Sequence, residues 1–270
     1  MNITFVGGGN MARAIIGGLR SKGFAPGAIG VVEVDPAARA RLQSEFKLRC
    51  FATPAQAAPF GELLVMAVKP QQMRAAAGQV APALCGQLVV SIAAGTRLAD
   101  LSRWLGGHGL LVRCMPNTPA LIGAGITGAF AAAPVSPAQR ACASQVLEAV
   151  GTVLWVDDEA LLDPVTAVSG SGPAYVFYFI EAMQQAAMEL GLSPQQARTL
   201  SLETFLGAAR LAAGSTEPVS VLRERVTSKG GTTQAALASM AADRVDEAIA
   251  RAIRAASERG RQLGDELGKQ

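Results

Sequence analysis

Histidine is almost missing from this 270-residue chain. His108 is the single example, set between Gly107 and Gly109 in what reads as a turn. A Ser-His-Asp triad or a histidine-built metal centre therefore lacks its material. The four cysteines, Cys50, Cys85, Cys114 and Cys142, form no C-x-x-C pair, so neither a zinc site nor a disulfide framework is expected, and no metal is assigned. Charge is also sparse: 17% of residues are charged and the net charge is +3. That small, dispersed excess does not suggest nucleic acid as a partner. The uncharged stretches 75–96 and 115–139 are broken by Gly, Pro, Gln or Asn, so neither reads as a membrane span. The opening Met-Asn-Ile-Thr-Phe-Val-Gly has no basic segment ahead of an apolar one, and the expected location is cytoplasmic. Without histidine or paired cysteine, demanding chemistry would need a borrowed cofactor.

Half of the chain is hydrophobic and only 5% is aromatic, a composition that rules out disorder and favours close-packed, alanine-rich helices. Short β-branched runs at 3–6, 31–34, 63–68, 88–92 and 110–114 alternate with helical patterns at 11–20, 37–46, 72–80 and 98–105. Such alternation indicates α/β architecture with a doubly wound, mainly parallel sheet of Rossmann type. Runs at 125–131 and 152–156 add strands around a helix at 137–150. Beyond about Asp158 strands stop. Val176, Phe179, Ile180, Met183, Ala187 and Leu190 recur at helical spacing. Ser193-Pro194 opens another helix, and helices follow near 195–213, 232–240 and 244–267, the last ending in a charged, exposed tail. The expected domains are thus 1–158, binding a dinucleotide, and an all-helical 159–270.

Gly7, Gly9 and Ala12 satisfy G-x-G-x-x-A directly after a strand and at the opening of a helix. The first glycine permits the turn, the second lets a pyrophosphate approach the backbone, and Ala12 lets the helix pack closely. Glu33 follows the second strand, where a carboxylate can accept both ribose hydroxyls of NAD and repel a 2′-phosphate. No arginine follows at once; Arg39 and Arg41 are nearest. Lys69-Pro70 and the small residues of Ser91-Ile92-Ala93-Ala94-Gly95 end further strands, where doubly wound folds bind ligands. Pro116-Asn117-Thr118-Pro119 is a rigid turn that either aims an amide and a hydroxyl or is simply a turn. Ser169-Gly170-Ser171-Gly172-Pro173 opens a long helix. Val226-Thr227-Ser228-Lys229-Gly230-Gly231-Thr232-Thr233 also opens a helix and supplies N–H groups, glycines and hydroxyls suited to a carboxylate.

Taken in order, 7–12, 67–70, 91–95, 113–119, 169–175 and 226–233 resemble the motifs of pyrroline-5-carboxylate reductases. The resemblance spans nearly the whole chain, and Arg-Cys-Met-Pro-Asn-Thr-Pro, Ser-Gly-Ser-Gly-Pro-Ala-Tyr and Thr-Ser-Lys-Gly-Gly-Thr-Thr are its specific runs. It implies reduction of 1-pyrroline-5-carboxylate to L-proline, the last step of proline biosynthesis, with NADPH or NADH as hydride donor. It implies a helical dimerisation domain, homodimers and, beyond them, decamers of five dimers. The cofactor would be held by Gly7, Gly8, Gly9, Asn10, Met11, Ala12, Glu33, Ala67, Val68, Lys69 and Pro70, with Ala93, Ala94 and Gly95 as a floor for the nicotinamide. Ser228, Gly230, Gly231, Thr232 and Thr233 would hold substrate, with Thr233 as the catalytic hydroxyl nearest the ring nitrogen. Glu33-Val34 departs from the small polar residues or Asn-Arg pair of many NADPH-using relatives and tilts the expectation toward NADH. Two alternatives stay open: another NAD(P)-dependent imine or keto-acid reductase, and a dinucleotide-sensing binding protein without turnover. Oxidation of NADH by pyrroline-5-carboxylate separates them.

Overall fold

The structure, a computed structural model, describes residues 1–269. Eight strands, Ile3–Val6 (β1), Ile29–Val32 (β2), Arg49–Phe51 (β3), Leu63–Met66 (β4), Leu88–Ser91 (β5), Leu111–Met115 (β6), Gly125–Ala131 (β7) and Gly151–Trp155 (β8), form one sheet in the order β3-β2-β1-β4-β5-β6-β7-β8. Neighbours run parallel except β6 and β7. The helices are Asn10–Ser21 (α1), Pro36–Phe46 (α2), Pro54–Ala57 (α3), Met73–Val80 (α4), Leu98–Trp104 (α5), Pro137–Leu147 (α6), Leu162–Val165 (α7), Gly172–Glu189 (α8), Pro194–Ala213 (α9), Val219–Arg225 (α10), Thr232–Ala242 (α11) and Val245–Gly268 (α12).

The central strands β1, β2, β4 and β5 are buried along their whole length. Apart from Thr4, Gly30 and Ser91 they read as apolar runs, because helices cover both faces of a parallel sheet. Alternate residues serve opposite faces. Ile3, Phe5 and Val31 pack with Ala12, Ile15, Ile16 and Leu19 of α1. Val6, Val32, Leu64 and Met66 pack with Met73, Ala77 and Val80 of α4 and with Leu98 and Leu101 of α5. Each large side chain so buried contributes about 1.5–3 kcal/mol. The sheet order reverses between β1 and β4, which opens the crevice where such folds receive ligands.

Three departures from the sequence expectation have physical causes. β2 starts and stops two residues early, because its register pairs Ile3 with Ile29 and Val6 with Val32. Val34, expected in the strand, is exposed. β3 carries no apolar pattern and exists through backbone pairing of Gly30, Val31 and Val32 with Arg49, Cys50 and Phe51. α10 spans only seven residues after Pro218, too short for a periodic signal.

The described chain forms two compact units, Met1–Ser171 together with the segment from Arg254 onward, and Gly172–Ile253. The sequence expectation divides the chain at 158/159 and assigns everything beyond to the helical part. Two tertiary features produce the different division. Buried Arg113 binds Glu159 at 3.0 Å and Asp163 at 3.3 Å, tying 159–163 to β6. The end of α12 is not an exposed tail, since Gly264 and Leu267 are buried and Arg97 of the first unit binds Asp265 at 2.8 Å. In the helical unit, Ser193 caps α9 in a reciprocal box with Gln196, as Ser-Pro at that point implies. Within 172–253 only Ala197 and Ser201 are buried among the described residues.

Candidate active site

The turn after β1 is built around Gly7. Its φ of +101° is a left-handed conformation, and a Cβ there would lie 2.7 Å from the Ala67 carbonyl oxygen. Glycine is needed for both reasons. Gly7 N–H donates to Val32 O at 2.8 Å, and Ala67 N–H donates to Val6 O at 2.8 Å, which joins the ends of β1, β2 and β4 into one rim. Gly8 is buried, and a Cβ on it would come within 2.4 Å of Leu42. Gly9 differs. Its backbone is extended (φ −68°, ψ −177°), and a Cβ would meet nothing within 4 Å. It precedes α1, whose first turn has no side-chain cap; the first N–H of this segment bonded back to the loop is that of Arg13, to Gly9 O at 2.9 Å. Open space beside uncapped helix donors fits a phosphate. The observed cradle therefore suits a dinucleotide.

Gly7, Gly8, Gly9, Glu33, Ala67, Val68 and Lys69 line a single cavity of about 370 Å³ at this rim, alongside Pro54, Gln72 and Ala76. Asn10 is exposed, Met11 half-buried, and Ala12 is buried against the sheet, so Ala12 serves helix packing. Pro70 opens a short 3₁₀ turn behind Lys69. Ala93, Ala94 and Gly95 lie beyond the end of β5, outside that cavity lining; Ala93 and Gly95 are buried and Ala94 is half-buried. Sequence reasoning missed Pro54, Gln72 and Ala76, which belong to no motif and reach the cavity only through the sheet topology.

Glu33 is held on both sides. One carboxylate oxygen accepts the Gly8 N–H at 2.9 Å and the other accepts the Asp35 N–H at 3.0 Å. Arg39 donates to the carbonyls of Glu33 at 2.7 Å and Val34 at 3.0 Å. A fixed anion and a fixed cation thus flank the same strand end. Asp35 caps α2 through Ala37 and Ala38.

The turn at 116–119 has a structural task. Asn117 is buried; its Nδ2 donates to Ser169 O at 3.2 Å and its Oδ1 accepts from Ile126 N at 3.0 Å. Its amide is spent bracing β7 and the glycine-rich segment rather than aimed at a ligand. That segment makes a π turn at Thr166–Gly170, with Ser171 N–H on Thr166 O at 2.8 Å, and a Cβ on Gly170 would collide with Met115. Burial pushes the Cys114 thiol well above its ordinary value, so it stays protonated and unreactive.

In the helical unit, Ser228, Gly230, Gly231, Thr232 and Thr233 form one turn leading into α11. Gly231 N–H bonds Ser228 O at 3.1 Å, and Ser228 Oγ fills the space a Cβ on Gly231 would need. Gly231 is the N-cap without a side-chain cap, and the first N–H of α11 bonded back to this turn belongs to Ala235, on Gly231 O at 3.2 Å. The helix thus starts with uncompensated donors beside three hydroxyls. Thr233 is half-buried, while Ser228, Gly230 and Thr232 are exposed.

A glycine-rich turn at the switch point of a doubly wound sheet, with an uncapped helix behind it, defines a dinucleotide-binding protein of Rossmann type. Two family models match the chain, one described as pyrroline-5-carboxylate reductase dimerisation over residues 159–263 and one as coenzyme F420-dependent NADP oxidoreductase over residues 2–95. Pyrroline-5-carboxylate reductase of Pseudomonas aeruginosa is 47% identical over 268 residues, covering 99% of this chain and 98% of the relative. The solved pyrroline-5-carboxylate reductase of Coxiella burnetii superposes with a TM-score of 0.92 at 38% identity, over 97% of this chain and 98% of that one. The Plasmodium falciparum structure, a pyrroline carboxylate reductase with NADP bound, gives 0.87 at 26% identity, over 98% of each. The chain belongs to the pyrroline-5-carboxylate reductase family.

Proposed function

We propose that the chain reduces 1-pyrroline-5-carboxylate to L-proline by the following division of labour. The observation that carries it is the pair of uncapped helix starts, one behind Gly7–Gly9 and one behind Gly230–Gly231, in a chain of this family. The donors at the start of α1 bind the pyrophosphate, Glu33 holds the adenosine ribose, and Ala67–Pro70 and Ala93–Gly95 shape the rest of the cofactor site. Bound there, NAD(P)H supplies the hydride for the imine carbon, which becomes C5 of proline. The turn Gly230-Gly231 presents the N–H groups of Thr232 and Thr233, which with the hydroxyls of Ser228 and Thr232 anchor the substrate carboxylate. Thr233 Oγ hydrogen-bonds the ring nitrogen and keeps its proton in place. A protonated imine is electrophilic enough that placement, rather than a metal or nucleophile, is the protein's main contribution. No titrating side chain stands in this role; a hydroxyl of ordinary acidity relays a proton from water more readily than it supplies one. Consumption of reduced cofactor on addition of pyrroline-5-carboxylate, with proline as product, tests the reading; cofactor binding without turnover would instead support a sensing protein.

Glu33 sets the cofactor preference toward NADH. Its carboxylate cannot swing away without giving up two backbone hydrogen bonds, so a 2′-phosphate meets a fixed like charge. Glu33→Asn is expected to raise the NADPH-to-NADH ratio of kcat/KM by about tenfold or more. A wild-type ratio already strongly in favour of NADPH would assign the strand end to Arg39 instead.

The helical unit works as a dimer. Phe177 is 65% exposed and Tyr178 71%, and α8 has no buried residue along its 18 positions. Apolar helices left this open need a second copy. Sedimentation at micromolar protein is expected to show no active monomer, and Phe177→Asp to weaken the assembly. Association of five dimers is the larger state to be read in the same experiment. The helices of the described residues include none long and apolar enough to cross a membrane.

A further inference from the structure

The loop Ala93–Gly95 has no large side chain with which to fix its own shape. The structure shows what fixes it. Gly95 sits at φ +73°, and a Cβ built there would lie 3.2 Å from Leu267 Cδ1 and 3.5 Å from Gly264 N. In the opposite direction, a Cβ on Gly264 would lie 3.1 Å from Arg97 Nε and 3.3 Å from Gly95 O. Backbone therefore packs on backbone here. One helical turn further, a Cβ on Gly268 would lie 2.6 Å from Asp100 Oδ2. Gly264 and Gly268 are four residues apart and share one face of α12. Charged groups fasten the same contact: Arg97 binds Asp265 at 2.8 Å, and Arg103 donates to Gly268 O at 2.9 Å while pairing with Asp100 at 2.9 Å. The start of α5 is held a third time by Leu98 N–H on Glu159 at 2.8 Å.

We propose that Gly264, with Asp265 and Leu267, positions the cofactor floor: the end of α12 clamps Gly95 and Arg97 so that Ala93–Gly95 presents a fixed surface to the nicotinamide. The proposal rests on the assignment of that loop to the nicotinamide made above. It makes the last helix part of the reductive site without its touching cofactor or substrate. Arg97 and Asp265 are each more than one-third exposed, so their pair adds little by itself. The close backbone approach at Gly264 is the element that a side chain would undo.

The test uses the full-length protein and two ligands, NADH and ADP-ribose, which lacks the nicotinamide. In Gly264→Val the loop is pushed out of place. NADH is expected to bind about tenfold more weakly and kcat to fall by about 10- to 100-fold, while the Kd for ADP-ribose stays within about twofold of wild type. Gly264→Ala, whose Cβ needs a shift of a few tenths of an ångström, is the graded variant and gives the same pattern at smaller size. It decides the matter if the valine variant does not fold, as judged by circular dichroism. Ala94→Val changes the loop directly and separates the two levels of inference. If Ala94→Val weakens NADH but not ADP-ribose, and both Gly264 variants behave as wild type, the clamp proposal is wrong. If Ala94→Val does not distinguish the two ligands, the loop does not face the nicotinamide and the underlying assignment fails. Equal weakening of both ligands in a folded Gly264→Ala protein would reduce α12 to a general support of the fold.

Discussion

Gly9→Val leaves a folded protein that has lost its affinity for NADH and NADPH, with a fall of about 100-fold or more in binding. Two local facts make the expectation sharp. The Gly9 backbone is extended, a conformation valine adopts without strain, and no atom lies within 4 Å of where its Cβ would stand. The fold therefore gives up only the preference for glycine over valine at a helix N-cap, about 1 kcal/mol. The space that valine fills is the approach to the uncapped donors of α1, which a pyrophosphate must enter. Gly7 offers the opposite case, since any side chain there meets Ala67 O at 2.7 Å from a left-handed backbone, and substitution damages the turn itself. Calorimetric titration with NADH, beside a circular dichroism melt, checks the pair. Near-normal affinity in a folded Gly9→Val protein would remove this loop from the cofactor site.

Thr233→Val is expected to lower kcat/KM for pyrroline-5-carboxylate by about 10- to 100-fold while leaving NADH affinity unchanged. That range corresponds to loss of one hydrogen bond to a charged group, about 1.5–3 kcal/mol. Thr233 is the second residue of α11, half-buried, at a helix start that has no side-chain cap. Valine keeps the branched shape and removes only the hydroxyl, so the helix start is preserved. Steady-state kinetics from about pH 6 to pH 9 give the decisive profile. If Thr233→Val matches wild type across it, the hydroxyl has no polar role. The cradle then binds substrate through its backbone, and the proton comes with the substrate or from solvent.

The parallel sheet was legible because strands covered on both faces are mostly apolar: β4 carries that mark without interruption, and β1 and β5 with one polar residue each, Thr4 and Ser91. The turn after β1 was legible because its conformation admits few residues, so Gly7 announces the backbone it needs. Ser193-Pro194 announced α9 as a cap followed by proline in the first turn, and the structure adds Gln196 to that cap. Residues whose roles depend on partners far along the chain were not legible. The turn holding Asn117 read equally as one aimed at a ligand or as a plain turn, and only Ser169 and Ile126, which bond its amide, decide for a structural role. Nothing in the strand at 110–114 pointed to the pairing of Arg113 with Glu159 and Asp163. The charged end of α12 looked solvated because its glycines carry no sign of the loop they pack against.

By itself the sequence determined the main strands and helices, the glycine-rich turn after β1 and the family motifs at 113–119, 169–175 and 226–233, since each depends on spacing along the chain or on the φ and ψ a residue can adopt. Tertiary structure alone decided which strand ends share a cavity, that Gly8 pins Glu33 beside it, that β3 is a strand at all, and that the chain from Arg254 on returns to the sheet-bearing unit. These outcomes rest on contacts between segments tens to more than a hundred residues apart. Such contacts form only when burial of the apolar faces has brought the segments together, and no local pattern records the partner in advance.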